Sequence, residues 1–241
     1  RQDHLDQRRT YSYAGPYTYC NFATPIFVPG YCDLATDYDF YQTILSAELQ
    51  LNSSFTLFDD VRNKLTYGIE VSATDTSQPR DRVGTYVATS PGGLPNDGDQ
   101  TQTIGGESYP GKYFPDSTTL KIGAYIQDEI RVGDTGLTFY PAVRFDYYGL
   151  SLSPDEEFER SSDGAEVEDK SWFSVSPKIG IVYDVTDELS LYGQYAHGFR
   201  APPYYEANAG FTNALYGYEI IPTTDLEPET SDNFEVGVRG N

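Results

Sequence analysis

From Phe40 onward the chain repeats one pattern, runs of alternating apolar and polar residues separated by breaks rich in Gly, Pro, Asn and Asp. In the first run Leu45, Ala47, Leu49 and Leu51 share one face while Ser46, Glu48 and Gln50 share the other. That two-residue period predicts a β-strand whose faces meet different surroundings. Asn52-Ser53-Ser54 reads as a short reversal. The return run sets Leu65, Tyr67, Ile69, Val71 and Ala73 against Thr66, Gly68, Glu70 and Ser72, so the two runs form a hairpin with one apolar face. Further strands are predicted over 120–132, 137–150 and 172–185, then from Leu189 to the Phe199-Arg200-Ala201-Pro202-Pro203 stretch, and last around Phe234, Val236 and Val238. Proline lacks a ladder donor and restricts the residue before it, so the chain leaves the sheet at Pro202.

The breaks alternate in length. Arg1 to Asp39, punctuated by Pro16, Pro25 and Pro29, reads as a long loop, and Thr74 to Thr119 as a long connection without periodicity. Ser151 to Lys170 is a long acidic connection, and an aromatic one follows Pro202. Between these fall the short turns Asn52-Ser53-Ser54, Gly133-Asp134-Thr135-Gly136 and Thr186-Asp187-Glu188. Long and short in alternation predict an all-β fold, part of a transmembrane antiparallel β-barrel with long extracellular loops and short periplasmic turns. A sandwich has similar loops at both ends. Segments of about ten residues, tilted by about 45°, are long enough to cross an outer membrane. The apolar face of the first hairpin carries no Lys or Arg in its central part, where such a charge costs about 2–4 kcal/mol against lipid. Asp128 is the exception, sharing a face with Ile122, Ala124, Ile126 and Ile130. Either it lies at the rim near the Gly133 turn or the face assignment is wrong.

Composition sharpens this picture. The 241 residues include 22 Tyr, 13 Phe and 22 Gly, but no apolar run near the roughly 20 residues of a membrane helix. A net charge of -21 argues against nucleic acid and against an anionic inner-leaflet surface as partners. It fits well-solvated loops, or an acidic lumen that discourages anionic solutes. No Met and no signal peptide are visible at Arg1-Gln2-Asp3, so the chain reads as a processed or partial piece. Cys20 and Cys32 are disulfide candidates, worth about 3 kcal/mol if bonded. Two cysteines without a nearby His pair do not complete a zinc site.

Tyr192-Gly193-Gln194-Tyr195-Ala196-His197-Gly198-Phe199-Arg200-Ala201-Pro202, followed by Asp225-Leu226-Glu227-Pro228-Glu229-Thr230-Ser231 and Phe234-Glu235-Val236-Gly237, resembles the barrel of TonB-dependent outer-membrane receptors. The nearer resemblance is to the haem and haemoglobin receptor branch, with its FRAP box and later NPNL box. Phe199, Arg200, Ala201 and Pro202 give the first box intact, while Ile221-Pro222-Thr223-Thr224-Asp225-Leu226 stands in place of the second. The histidine that the haem branch places between the boxes is absent. The resemblance implies a barrel of about 22 strands in the bacterial outer membrane. It also implies a plug domain that residues 1–241 do not include, and energy supplied by the inner-membrane TonB complex. The transported ligand is then an iron-bearing nutrient, haem or a ferric siderophore, with no intrinsic cofactor and no catalysis. A passive porin or adhesive outer-membrane barrel is the alternative, as is a soluble secreted β protein.

The loop after Pro202 holds the candidate ligand contacts Tyr204, Tyr205, Asn208, Phe211, Asn213, Tyr216 and Tyr218, whose aromatic faces suit a large flat ligand. An aromatic girdle at the membrane interface explains the same tyrosines structurally. Haem needs an axial His or Tyr, and His197 is one candidate. Arg200 is expected to pair with a ligand anion, with Glu206 or with a wall carboxylate. Glu229 and Thr230 are expected to tie the loop back to the wall. Asp97-Gly98-Asp99 reads as a turn or as part of a calcium loop.

Overall fold

The computed structural model describes residues 2–13, 30–58, 60–88, 102–104, 107–213 and 217–240. The wall opens with β1 (Gln2–Tyr13), β2 (Gly30–Leu57), β3 (Val61–Ser77) and β4 (Arg80–Ala88). Two short strands follow, β5 (Gln102–Ile104) and β6 (Glu107–Tyr109), before the wall resumes with β7 (Asp116–Val132) and β8 (Leu137–Ser153). Helix α1 (Glu156–Ser162) precedes β9 (Lys170–Asp184) and β10 (Leu189–Arg200). A one-turn helix α2 (Tyr204–Ala207) and the strands β11 (Phe211–Asn213) and β12 (Tyr218–Ile220) lead to β13 (Glu229–Gly240). One antiparallel sheet runs β1-β2-β3-β7-β8-β9-β10-β13, with β4 on β2.

All seven expected wall strands are present, and four expectations about the breaks are corrected. Arg1–Asp39 is not a loop throughout, because β1 pairs with β2 from Gln2↔Tyr41 to Tyr13↔Gly30. Asn52-Ser53-Ser54 is mid-strand, opposite Thr66, Leu65 and Lys64, and the chain reverses instead at Phe58, whose φ is 51°. Here the ladder overrides local turn preference: Thr66 Oγ1 donates to Asn52 Oδ1 at 2.8 Å. Thr74–Thr119 contains β4, β5 and β6, and Ser151–Lys170 contains α1. Residues Asp97 to Asp99 and Cys20 lie outside the described residues, and with Cys20 the expected disulfide to Cys32.

Strand β4 continues β3 rather than starting a new direction. Tyr41 pairs with Ser77 and Tyr38 with Arg80, so the register passes unbroken through Gln78-Pro79. Asp39 N–H still donates to the Pro79 carbonyl at 3.1 Å. Pro79 is tolerated because its missing N–H interrupts the ladder for one position only. With 28 residues, β2 extends about 90 Å at roughly 3.3 Å per residue, far beyond an apolar band about 25 Å tall. The alternation of the first hairpin therefore marks only the part of the strand that carries one apolar face. Beyond it both faces meet water and the period-2 signal disappears while the ladder continues.

Register carries one apolar face across the sheet, through Leu45, Ile69, Ile126, Phe145, Phe173, Ile179, Leu191 and Val236. These side chains are exposed, Leu45 to 76% and Val236 to 87%. Leaving each in water rather than an apolar phase costs about 1.5–3 kcal/mol, which disfavours the soluble alternative. No helix among the described residues is long and apolar enough to cross a membrane, which says nothing of a β-barrel. Asp128 keeps the apolar face, opposite Leu65 on β3, and lies near the Gly133 turn as the first alternative expected. On β8 its register partner is Pro141, where the ladder lapses between Gln127↔Ala142 and Ile130↔Phe139.

The other face is polar, and its glycines are beds for long side chains from the next strand. Tyr125 of β7 crosses Gly68 of β3 and donates to Gln50 Oε1 of β2 at 2.8 Å. A Cβ at Gly68 would stand 2.7 Å from that hydroxyl oxygen. Arg144 of β8 crosses Gly123 of β7 in the same way to reach Glu70 of β3. Tyr192 of β10 lies over Gly237 of β13. Each long side chain thus ties strands across the sheet.

Candidate functional site

Among the described residues, the buried apolar side chains lie in the long connections, apart from Leu150 of the wall. Tyr109, Phe114, Phe158, Ala207 and Phe211 are buried together with Leu150 at the end of β8. They come from three different connections, which pack into one cap at the long-connection end of the sheet.

Arg80 is its centre. The guanidinium, 2% exposed, is 3.5 Å from the Tyr113 ring centroid and 5.0 and 5.4 Å from those of Tyr109 and Phe211. Its Nη2 is 3.4 Å from Glu107. Asn213 donates to the same Glu107 carboxylate at 3.4 Å, so the β5-β6 and β11-β12 hairpins meet there. Lys112 is a second tie, donating to Asp116 at 2.9 Å and to Asp155 at 2.5 Å. Asp155 also caps α1, accepting from Phe158 N–H at 3.0 Å. Burial alone would raise the Asp155 carboxyl, but Lys112 and the Phe158 N–H outweigh it and hold the group below the usual carboxylate range. Burial likewise opposes the Lys112 charge, and its two carboxylates prevail, raising the ammonium above its ordinary value. Arg160 of α1 donates to the Pro110 carbonyl at 2.8 Å. Gly111 permits this close packing, since a Cβ there would overlap Ser161 Oγ and stand 2.9 Å from the Ser108 carbonyl.

On the polar face opens a cleft of about 610 Å³ lined by Glu70, Lys121, Arg144, Tyr148, His197, Arg200 and Tyr205, among others. Arg144 Nε donates to both oxygens of Asp146 at 2.8 and 2.9 Å, and Nη2 reaches Glu70. Arg200 donates to Glu229 at 3.1 Å and to Glu206 at 3.0 Å, joining β10, α2 and β13. Lys121 lies 5.5 Å from the Tyr148 ring centroid, and Tyr148 meets Trp172 at 5.8 Å.

The structure separates the expected contact residues. Tyr205 is half exposed at the cleft. Tyr204 packs edge-on against Phe114 at 4.8 Å and Tyr205 at 5.4 Å, and burial pushes its phenol up. Asn208 and Phe211 are buried in the cap, where Phe211 meets Tyr113 at 4.8 Å, so they build the cap rather than offer a surface. Tyr218 is exposed beside Phe211, and Tyr216 lies outside the described residues. His197 occupies the face opposite to Arg200, by the odd and even positions of β10. Its Nδ1 is 2.9 Å from Asp232 Oδ1, which also accepts from the Tyr195 hydroxyl at 2.8 Å, and Tyr195 stacks on the lipid-face residue Phe234. In the first box Phe199 pairs with Thr230 and Arg200 with Glu229, so the Glu229-Thr230 exit does tie the loop to the wall. Asp225 stands in an exposed turn and Leu226 is partly exposed, away from the cleft lining.

Lys121, Tyr148 and Trp172 were not among the expected contacts. Their signal lay in the strand parity that puts them with Arg144 and Asp146 on the polar face.

The family model for the TonB dependent receptor-like β-barrel matches residues 1–241. This chain belongs to that family. A hemin receptor of Yersinia pestis is 31% identical over 150 residues, 57% of this chain and 19% of the relative. One of Yersinia enterocolitica is 28% identical over 151 residues, 56% of this chain and 20% of the relative. The match thus spans about a fifth of each relative. Among solved structures, the unliganded ferric citrate transporter FecA matches with a TM-score of 0.52 and 18% identity, over 88% of this chain and 30% of that one. The copper transporter OprC matches at 0.50 and 13%, over 100% and 36%. The receptor barrel family and the half-barrel sheet are thereby established, as the FRAP box and strand alternation suggested.

Proposed function

We propose that this chain is barrel wall and outer loops of a receptor in the bacterial outer membrane that takes up an iron-bearing nutrient. The observation that carries the reading is the cleft at the long-connection end of the wall, lined by Arg144, Tyr148, Arg200 and Tyr205 next to the packed connections, where solute would arrive from outside. A passive pore has no need of three connections locked into one cap. Similarity to relatives named as hemin receptors supports haem as the first ligand to test, with a ferric siderophore second. His197 lines the cleft but is held by Asp232, and Tyr205, half exposed there, is the first candidate to offer an axial oxygen to haem iron. The wall binds and orients, while the inner-membrane TonB complex, acting through a plug segment, supplies energy for release inward. The outer-membrane lipid contacts the apolar face, and a haem protein is a further candidate partner.

The test is binding by the complete receptor. Titration with haem, followed by Soret absorption, and with ferric siderophores, followed by fluorescence, is expected to show saturable binding of one. Cells lacking TonB are expected to lose growth on that ligand as sole iron source. A receptor that binds neither ligand class, or growth independent of TonB, would remove the uptake reading.

A further inference from the structure

We propose that Lys121, seated on Tyr148, receives a carboxylate arm of a flat iron-bearing ligand and so selects acidic tetrapyrroles at the cleft. The inference rests on the uptake reading above and adds the residue and the ligand group.

Three cations line the cleft, and two are already committed. Arg144 is held between Asp146 and Glu70, and Arg200 between Glu206 and Glu229. Lys121 has no carboxylate within ion-pair distance among the described residues. Its ammonium lies 5.5 Å from the Tyr148 ring centroid, and it lines the cleft together with Glu70 and Asp146, both of which are engaged by Arg144. The chain carries a net charge of -21, and Glu70 and Asp146 are among the carboxylates that line this cleft. The surrounding acidity would repel an anionic ligand, so a local positive charge is needed where such a ligand docks.

Its neighbours fit a flat partner. Lys121 pairs with Tyr148 in the β7-β8 register, and Tyr148 pairs with Trp172 in the β8-β9 register, so all three share one level of the polar face. The Tyr148 ring lines the cleft beside the charge and is backed by Trp172 at 5.8 Å, an aromatic surface that suits a conjugated plane with an anionic edge. Arg200 and Tyr205 line the same cleft from β10 and α2, with β10 three strands along the sheet from the β7 strand that carries Lys121. A ligand whose iron meets Tyr205 therefore points its acidic edge across the cleft to Lys121.

The experiment compares the complete native receptor with its Lys121→Gln variant in absorption titrations with haem and with haem dimethyl ester. Lys121 is exposed, so the variant retains the wall. The expected result is haem binding weaker by about two- to fivefold in the variant, the upper range of an exposed ion pair. Ester binding is expected to be the same in both proteins. Equal binding of haem by both proteins, or equal weakening of acid and ester, would overturn the proposal and leave uptake standing. A native receptor that binds a ferric siderophore but not haem also overturns it, and one that binds neither removes both readings.

Discussion

Replacing Arg80 by Met is expected to loosen the cap without unfolding the wall. Arg80 heads β4, outside the lipid-facing span, yet it touches rings from two separate connections and the carboxylate of Glu107. Met keeps part of the volume and removes the charge. The stack on Tyr113 at 3.5 Å is desolvated, a setting in which cation–π contacts reach about 2 kcal/mol. Breaking a buried ion pair costs about 3–5 kcal/mol when the remaining charge is trapped, and Glu107, 19% exposed, keeps some access to water. The two terms share one side chain and are not additive, so a loss of about 2–4 kcal/mol of local stability is the working figure. Hydrogen exchange read by mass spectrometry separates cap from wall. Peptides spanning 107–116, 156–165 and 204–213 are expected to exchange faster by about 30- to 1000-fold, while those of β8, β9 and β10 hold their rates. Arg80→Lys, which keeps charge but not the planar stack, is expected to fall between. Unchanged exchange in the cap, or acceleration confined to the 107–116 peptide, would refute the view that Arg80 joins the connections into one unit.

Three further outcomes follow from the same geometry. The folded carboxyl of Asp155 is depressed, so its contribution is complete above the ordinary value of about 3.9 and lost as pH falls through the folded value. Cap exchange corrected for intrinsic rates should rise below about pH 4, and Asp155→Asn should flatten that dependence. Gly123→Val displaces the Arg144 guanidinium from Glu70, costing about 1 kcal/mol or less at this partly exposed pair. In a Glu70→Gln background most of that loss should vanish, and additive melting-temperature shifts would contradict the bed role of Gly123. If haem binds, Tyr205→Phe should alter the ferric charge-transfer and Soret bands while His197→Ala leaves them unchanged. The opposite pattern would assign iron ligation to His197.

The wall was legible because lipid writes a period of two into it. Leu45 to Leu51 and Leu65 to Ala73 alternate only where one face leaves water, and there the expected strands are the observed ones. Where the strands rise above that band the pattern fails for a physical reason. Residues 31–39, Tyr-Cys-Asp-Leu-Ala-Thr-Asp-Tyr-Asp, carry three acids and no apolar face, yet they extend the ladder of β2. Asn52-Ser53-Ser54 failed in the opposite sense. Their side chains favour turns in isolation, but partners on β3 were available at each position and the ladder prevailed.

The site was legible by family and by strand face, and not by residue type alone. Aromatic count singled out Asn208, Phe211 and Tyr204 with Tyr205, but only long-range packing tells a ring that fills the cap from one that faces the cleft. Phe211 is buried because Arg80, more than a hundred residues earlier, needs a third ring around its charge. The same loop chemistry thus serves two ends: residues that lock the cap, and the few left outside it. Parity was the stronger signal, since one step along β10 separates lipid from lumen. His197 and Arg200 are three residues apart and therefore differ in parity, which is why the histidine nearest the box pairs with Asp232 while Arg200 closes the hairpin. Applied to β7, β8 and β9, that rule places Lys121, Tyr148 and Trp172 at one level of the lumen. A ligand surface on a barrel wall is then read by combining register with parity, and the packed connections stand next to it.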